Sequence, residues 1–296
     1  MDDIRSLLFV PADSERKIAK ALSSQADAII LDLEDSVAPE KRQAAREICR
    51  STLASGSSKA LLVRINALET GDALLDLAGV VRGKPYGIVL PKCRSADDVR
   101  LLGQYLLALE LRDGAQPGTT KIVPVVTETA ASLYGTATYR EDTPRMTGLV
   151  WGGEDLAADI GAWTNRDGEG RYTLTYELAR TLCLLAATSA RAAAIDAVYT
   201  DFRNSVGLRR EATDAARDGF TAKAAIHPDQ LAVINEVFTP TDEDVVRARR
   251  VVELFEGGDA TGVVALDGRM LDRPHLLIAK RLLSRSRQGR DGDRGE

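Results

Sequence analysis

The sequence predicts a closed (β/α)8 barrel followed by a C-terminal helical extension. Three observations carry this. Eight short aliphatic runs recur over roughly the first 230 residues, helical patterns separate them, and the runs are apolar without strict alternation. Strands covered by helices on both faces lose the in–out alternation of a half-solvated sheet, so such runs mark a parallel sheet. Eight βα units point to closure into a barrel. An open doubly wound sheet is the alternative that the count alone leaves standing.

The expected strands begin at Ser6 (SLLFVPA), Ala28 (AIILDLE), Leu61 (LLVRIN) and Gly87 (GIVLPK). They continue from Ile122 (IVPVVTE), Gly148 (GLVWGGED), Ile195 (IDAVYTD) and Ala222 (AKAAIHP), the last weakened by its alanines. Between them, Leu74, Leu75, Ala78 and Val81 form one helical stripe, and Leu178, Leu182, Leu185 and Ala186 another. The stretch from Asp97 to Leu111 is apolar over a broad face. Leu231, Ile234, Val237 and Phe238 complete the barrel. TPTDED from Thr239 then reads as the cap of a further helix reaching Phe255. After Gly257 and Gly258 come a short extended piece and a terminal helix. The predicted organisation is a barrel over 1–238, an extension over 239–283, and a disordered, wholly polar tail over 284–296.

Charge and cysteine content narrow the function classes. With 39 basic against 44 acidic side chains and a net charge of −5, the chain has no field to attract nucleic acid or an anionic membrane surface. No apolar segment is long enough to span a membrane, and the apolar run near the start is too short for a secretory signal. Cys49, Cys93 and Cys183 are odd in number and far apart, which fits a reducing, cytoplasmic setting. Neither G-x-S-x-G nor a P-loop is present.

In a parallel barrel the C-terminal strand ends converge on one rim. Here they carry Asp32-Leu33-Glu34-Asp35, Arg64-Ile65-Asn66, Pro91-Lys92, Thr127-Glu128-Thr129 and Gly152-Gly153-Glu154-Asp155. One such residue is most simply a cap. Five consecutive charged strand ends indicate a site. Crowded carboxylates resist ionisation unless a cation joins them. Glu128 and Asp155, on adjacent strands, supply the hard oxygens that suit Mg²⁺ with open water positions. The two histidines, His227 and His275, are too separated for zinc, and His227 reads as a packed or capping residue. Gly152-Gly153 reads as a tight turn beside a ligand, and Trp151 and Trp163 as packing residues.

The segments RSLLFVPADSERKIAKA, LDLEDSVAPEKR, VRIN, GIVLPK, TETA, GGEDLAADIG and AIHPDQ, in this order, resemble the citrate lyase β-subunit-like family. That family includes malyl-CoA, citramalyl-CoA and citryl-CoA lyases within the pyruvate-enolate TIM-barrel superfamily. The resemblance spans about residues 4–280. It implies a TIM barrel, Mg²⁺, and cleavage or formation of a carbon–carbon bond in a 3-hydroxyacyl-CoA thioester, giving an acyl-CoA and a small 2-oxo acid. A homotrimer, or a hexamer built from it, is the implied assembly. Class II pyruvate aldolases carry a histidine where this chain has Asp35, which sets them aside.

Residue by residue, the resemblance implies Glu128 and Asp155 as metal ligands, with Glu128 also beside the substrate. Arg64 would grip the small acid, Glu34 and Asp35 would orient Arg64 and water, and Phe9, Arg16 and Lys20 would line the CoA side. Relatives carry an acidic residue after strand seven where this chain reads Asp201-Phe202-Arg203-Asn204. In GRMLDRPH, a G-x-M-x-D-x-P segment places Asp272 as the proton-transferring group, on an extension that closes as a lid over a neighbouring subunit; by itself Asp272 reads as a helix cap. Two other activities fit the same residues: a malate-synthase-like condensing thioesterase, and a citrate lyase β subunit acting on an acyl carrier protein inside a complex.

Overall fold

The computed structural model describes residue 1, residues 3–257 and residues 262–291. These residues form two compact units that meet in the chain at Asn235 and Glu236, against the expected boundary at 238.

The first unit is a closed barrel of eight parallel strands in sequential order. These are β1 (Ser6–Pro11), β2 (Ala28–Asp32), β3 (Ala60–Arg64), β4 (Gly87–Leu90), β5 (Lys121–Val126), β6 (Gly148–Trp151), β7 (Ala193–Asp196) and β8 (Ala222–Ala225). Closure comes from β1 against β8, with Ser6 opposite Lys223 and Leu8 opposite Ala225. Parallel pairing needs a crossover after every strand, and closure leaves no edge to protect. The open-sheet alternative is thereby excluded. Leu7, Ile30, Leu62, Val89, Val123 and Ile195 fill the interior.

The strand-seven reading requires correction. β7 starts at Ala193 and ends at Asp196, so the Val198-Tyr199 stretch expected to finish it is loop. Alanines carry little strand signal, which drew the expected start toward Ile195.

Helices α1 (Glu15–Leu22), α2 (Arg42–Ala54), α3 (Gly71–Val80), α4 (Ala96–Arg112), α5 (Ala130–Gly135), α6 (Glu154–Ile160), α7 (Leu174–Ser189), α8 (Ser205–Asp218) and α9 (Leu231–Val237) follow the strands in turn, with α6 and α7 both lying between β6 and β7. Both expected stripes hold only in part: Val81 and Ala186 are buried, but the leucines at 74, 75, 178 and 185 are exposed. On α3 the buried face is Ala73, Asp76, Leu77 and Val80, while Leu74 and Leu75 are exposed. On α7 the buried residues include Ala179, Cys183 and Ala186, and Leu178 and Leu185 are exposed. Small side chains let α7 lie close to β6 and β7, so size outranked hydrophobicity in choosing the face. Trp163 is likewise fully exposed, not packed.

Outside the barrel wall, Lys223 is wholly buried and donates to Asp196 (2.7 Å), Glu211 (2.9 Å) and the Ala197 carbonyl (2.7 Å). Asp196 also accepts from Trp151 Nε1 at 2.8 Å and Arg180 Nε at 2.9 Å. Burial pushes the Asp196 carboxyl up, but Lys223 and Arg180 outweigh it and hold it well below the usual range.

The second unit contains α10 (Asp242–Glu256), the antiparallel pair β9 (Val263–Leu266) and β10 (Arg269–Asp272), and α11 (Arg273–Asp291). Thr241 opens α10 with a reciprocal capping box to Asp244. Asp267 and Gly268, both at positive φ, make the two-residue hairpin turn that follows the native twist of paired strands. Ala248, Val251, Leu266, Leu271 and Ala279 form this unit's core. The expected tail is corrected in part: α11 continues through Asp291, and only 292–296 lie outside the described residues. Among the described residues no helix is long and apolar enough to cross a membrane.

Lys223→Met should lower the unfolding free energy at pH 7 by about 3 kcal/mol, because it removes the ammonium shared by buried Asp196 and Glu211 and leaves them only Arg180 and Arg166 as cationic partners. Asp196 titrates below its ordinary 3.8 in the folded state, so its contribution is complete above that pH and is lost as pH falls toward about 2. Urea unfolding followed from pH 7 to pH 2.5 should therefore show the gap between wild type and variant narrowing below about pH 4. A constant gap would mean that Asp196 is not linked to Lys223.

Candidate active site

Strand register creates the first contact of the site. Asp32 and Arg64 end β2 and β3 directly opposite each other. Their side chains form a bidentate pair, Nε to Oδ1 and Nη2 to Oδ2, both at 2.7 Å. Asp32 also accepts the backbone N–H groups of Glu34 (3.0 Å) and Ser36 (3.2 Å), which folds the turn after β2 around it. Burial raises the Asp32 pKa, yet the guanidinium more than reverses this and the carboxyl sits below its ordinary value. The Arg64 guanidinium lies over the Phe9 ring, 5.0 Å from its centroid.

Glu34 is buried beside this pair. Its Oε1 accepts from Lys92 Nζ at 2.7 Å; Oε2 is 3.1 Å from Arg64 Nη1 but makes no aligned hydrogen bond. Burial pushes its carboxyl up, and Arg64 and Lys92 offset this only in part. Asp35 is half exposed, 3.6 Å from Arg64.

The next two strand ends are held in left-handed backbone, with φ of 51° at Lys92 and 67° at Thr127. For non-glycine residues that conformation is strained and concentrates at functional sites. Here it lets the Lys92 N–H donate to Glu128 Oε2 while its ammonium spans Glu34 and Asp155, the latter at 3.5 Å. Glu128 is almost completely buried, and burial together with Asp155 pushes its carboxyl up to about 8. Asp155 stands in the first turn of α6.

Gly152 is needed for space, not for a turn. A Cβ there would lie 2.5 Å from Glu128 Cγ, and one at Gly153 would lie 2.9 Å from the Trp151 ring; neither glycine has positive φ. This corrects the tight-turn reading. The cradle and the mutual repulsion of Glu128 and Asp155 fit a divalent cation held by two carboxylates. Among the described residues no three His, Cys, Asp or Glu side chains converge as a metal cage. An open site of two protein oxygens, completed by substrate and water, is the arrangement that Mg²⁺ accepts.

A cavity of about 410 Å³ opens over these residues, lined by Phe9, Asp35, Arg64, Glu128 and Asp155 among others. Of the predicted site residues, Arg16 and Lys20 are exposed on α1 and are not among the residues that line this cavity. Phe9 serves the Arg64 side of the cavity. Asn204 caps α8 by accepting from Gly207 N at 2.8 Å. His227 caps the turn at Pro228–Gln230 and stacks on Phe202. Asp272 belongs to the second unit, exposed, with Oδ1 2.6 Å from His275 Nδ1. Asp32 and Lys92 were visible at strand ends but carried no assigned role; the register that pairs the first with Arg64 is a tertiary fact.

The model of the HpcH/HpaI aldolase/citrate lyase family matches residues 5–228. The chain belongs to this family. A second family, described as a C–C bond lyase of the TIM-barrel fold, matches residues 169–288. The citrate lyase β subunit of Escherichia coli K12 is 34% identical over 286 residues, covering 95% of this chain and 93% of that protein. Mouse mitochondrial citramalyl-CoA lyase is 34% identical over 296 residues, covering 95% and 85%. Among solved structures, CitE of Mycobacterium tuberculosis in complex with magnesium, acetoacetate and coenzyme A superposes with a TM-score of 0.79 at 33% identity, covering 97% of this chain and 99% of that one. The expected citrate lyase β-like membership and barrel are thus borne out, and the chain is a lyase by family.

Gly152→Ala should weaken Mn²⁺ binding at least about tenfold while the protein stays folded, since Glu128 must move to admit the methyl. Electron paramagnetic resonance of free Mn²⁺ measures this. Undiminished affinity would remove Glu128 from the ligand set.

Proposed function

We propose that this protein is a Mg²⁺-dependent carbon–carbon lyase that cleaves or forms a 3-hydroxyacyl-CoA thioester of malyl, citramalyl or citryl type. The observation that carries the proposal is the meeting of one pre-positioned guanidinium, Arg64, with the paired carboxylates Glu128 and Asp155 in one cavity. Glu128 and Asp155 would hold Mg²⁺, which when bound supplies Lewis acidity at the carbonyl of the 2-oxo acid.

The chain's own groups account for the remaining work. Arg64 grips the carboxylate of the 2-oxo acid with the donors left over from Asp32, and its planar fork fixes the orientation. Asp32 and Phe9 hold that fork before substrate arrives, so its ordering is complete before reaction. Glu34 and Lys92 tie the Arg64 side of the rim to the Asp155 side. Carbon–carbon cleavage leaves an enolate on the thioester product, and a base must remove the hydroxyl proton. Of the cavity carboxylates, Asp32 and Asp35 face Arg64, Glu128 and Asp155 face the metal position, and Glu154 accepts from Asn165 Nδ2 at 2.8 Å. We assign proton transfer to Asp272, in a homotrimeric or hexameric assembly where this residue serves a neighbouring copy. The leucines exposed on α7 support an assembly, and the three buried, unpaired cysteines support a cytoplasmic setting.

With Mg²⁺ present, at least one of malyl-, citramalyl- and citryl-CoA should give acetyl-CoA and its 2-oxo acid, followed by chromatography of the CoA species. Glu128→Gln and Arg64→Lys should each reduce that turnover by about 100-fold or more. Free CoA thiol as the main product would favour the thioesterase reading, and turnover only with an acyl carrier protein would favour a citrate lyase subunit.

Asp272→Asn should cut kcat by about 100-fold or more with Mn²⁺ affinity and oligomeric mass unchanged. Mixed with Glu128→Gln, it should regain part of the activity, because some sites would combine an intact barrel with an intact Asp272. Full activity in Asp272→Asn alone returns the residue to the role of a helix cap.

A further inference from the structure

The charges around the cavity are distributed unevenly, and the asymmetry bears on substrate choice. Its acidic groups are Asp32, Asp35, Glu128, Glu154 and Asp155, and they come from the ends of β2, β5 and β6. Among the described residues Arg64 is the one cationic side chain on the wall, and Asp32 already occupies two of its donors. Lys92 is not on the wall and is held by Glu34 and Asp155. With Glu128 and Asp155 committed to a divalent cation, Asp32, Asp35 and Glu154 against Arg64 leave this side of the cavity net negative.

The opposite arc is built differently. Ala224 of β8 and the residues just after β7 and β8, Ala197, Val198 and Ile226, form it, and the floor beneath is Val125 and Val150. None of these side chains can donate a hydrogen bond. Trp151, the indole beside them, spends its N–H on Asp196. The alanines at 197 and 224 leave room for a substituent, and the surface they present is apolar.

Resting on the lyase reading above, we propose that the 2-oxo acid handled by this site carries a single carboxylate and a small uncharged substituent, as pyruvate and glyoxylate do and oxaloacetate does not. The first carboxylate meets Arg64. A second would enter either the acidic arc, against like charge, or the apolar arc, where its oxygens lose water and meet no cation; apart from Arg64, the side-chain donors on the wall are the uncharged hydroxyls of Ser36 and Tyr172. Discrimination of this kind works by penalising the wrong ligand, and an uncharged wall rejects a carboxylate far more strongly than it rejects a change of one methyl. The matching thioesters are malyl- and citramalyl-CoA, and citryl-CoA is excluded.

Calorimetric titration of the Mg²⁺-loaded protein with pyruvate, glyoxylate and freshly dissolved oxaloacetate tests this directly. At least one of the two monocarboxylates should bind at least tenfold more tightly than oxaloacetate. Val198→Lys, which sets an ammonium on the uncharged arc, should then tighten oxaloacetate at least tenfold and leave the monocarboxylates within a few-fold. Oxaloacetate binding as tightly as both in the wild type overturns the proposal, as does a folded Val198→Lys protein with no gain for oxaloacetate. Failure to cleave any thioester, with the binding order intact, would sink the lyase reading and leave the binding preference standing.

Discussion

The pairing of Asp32 with Arg64 is the constraint on which the site depends. Neither residue could be placed alone: a buried guanidinium without its carboxylate, or the carboxylate without its guanidinium, is a costly unpaired charge. Parallel register brings them side by side at the ends of β2 and β3. Because Asp32 also collects two backbone N–H groups from the following turn, the same carboxylate that aims Arg64 shapes the loop carrying Glu34 and Asp35. A second brace comes from α3, where buried Asp76 accepts from Asn66 Nδ2 (2.8 Å) and Asn66 reaches the Leu33 carbonyl (3.0 Å). Helix layer, strand end and functional loop are thus joined by satisfied hydrogen bonds.

Around the rim, charge is sorted by strand. β2 through β6 bear the ionisable groups, and β7, β8 and β1 close the cavity with aliphatic and aromatic surface. The barrel keeps its other buried charges out of the cavity. Lys223, Asp196 and Glu211 lie on the outward faces of β7 and β8 and on α8, where Arg180 and Arg166 complete the balance. Alternation along a strand makes this separation possible, since neighbouring residues such as Lys223 and Ala224 face opposite sides of the wall. Left-handed backbone at Lys92 and Thr127 falls on the two strand ends that aim Glu128.

A (β/α)8 barrel by itself licenses no chemistry, because the fold hosts many reactions. What separates this site is its combination of groups: two neighbouring carboxylates suited to sharing a cation, one guanidinium fixed in advance, and an uncharged arc after β7 and β8. Each is suited to a ligand that is anionic at one end, chelating in the middle and apolar beyond.

The sequence by itself determined the eight alternating βα units, the order of the strands and the convergence of charged strand ends, while closure into a barrel was decided by the pairing of β1 with β8. Those properties follow from short-range patterning and from the topological rule that parallel strands deliver their C-terminal ends to one side. Family membership was legible for the same reason, since the matching motifs sit at those ends. Tertiary structure alone decided which faces the helices bury. Leu74 and Leu75 on α3 and Leu178 and Leu185 on α7 are exposed, because close approach to the strands selected alanine, cysteine and a hydrogen-bonded aspartate beside Leu77. It also decided the partners of Arg64, the place of Lys92 between two carboxylates, and the reason for Gly152. These depend on register and on distances of a few ångströms between residues far apart in the chain, and no local pattern encodes them.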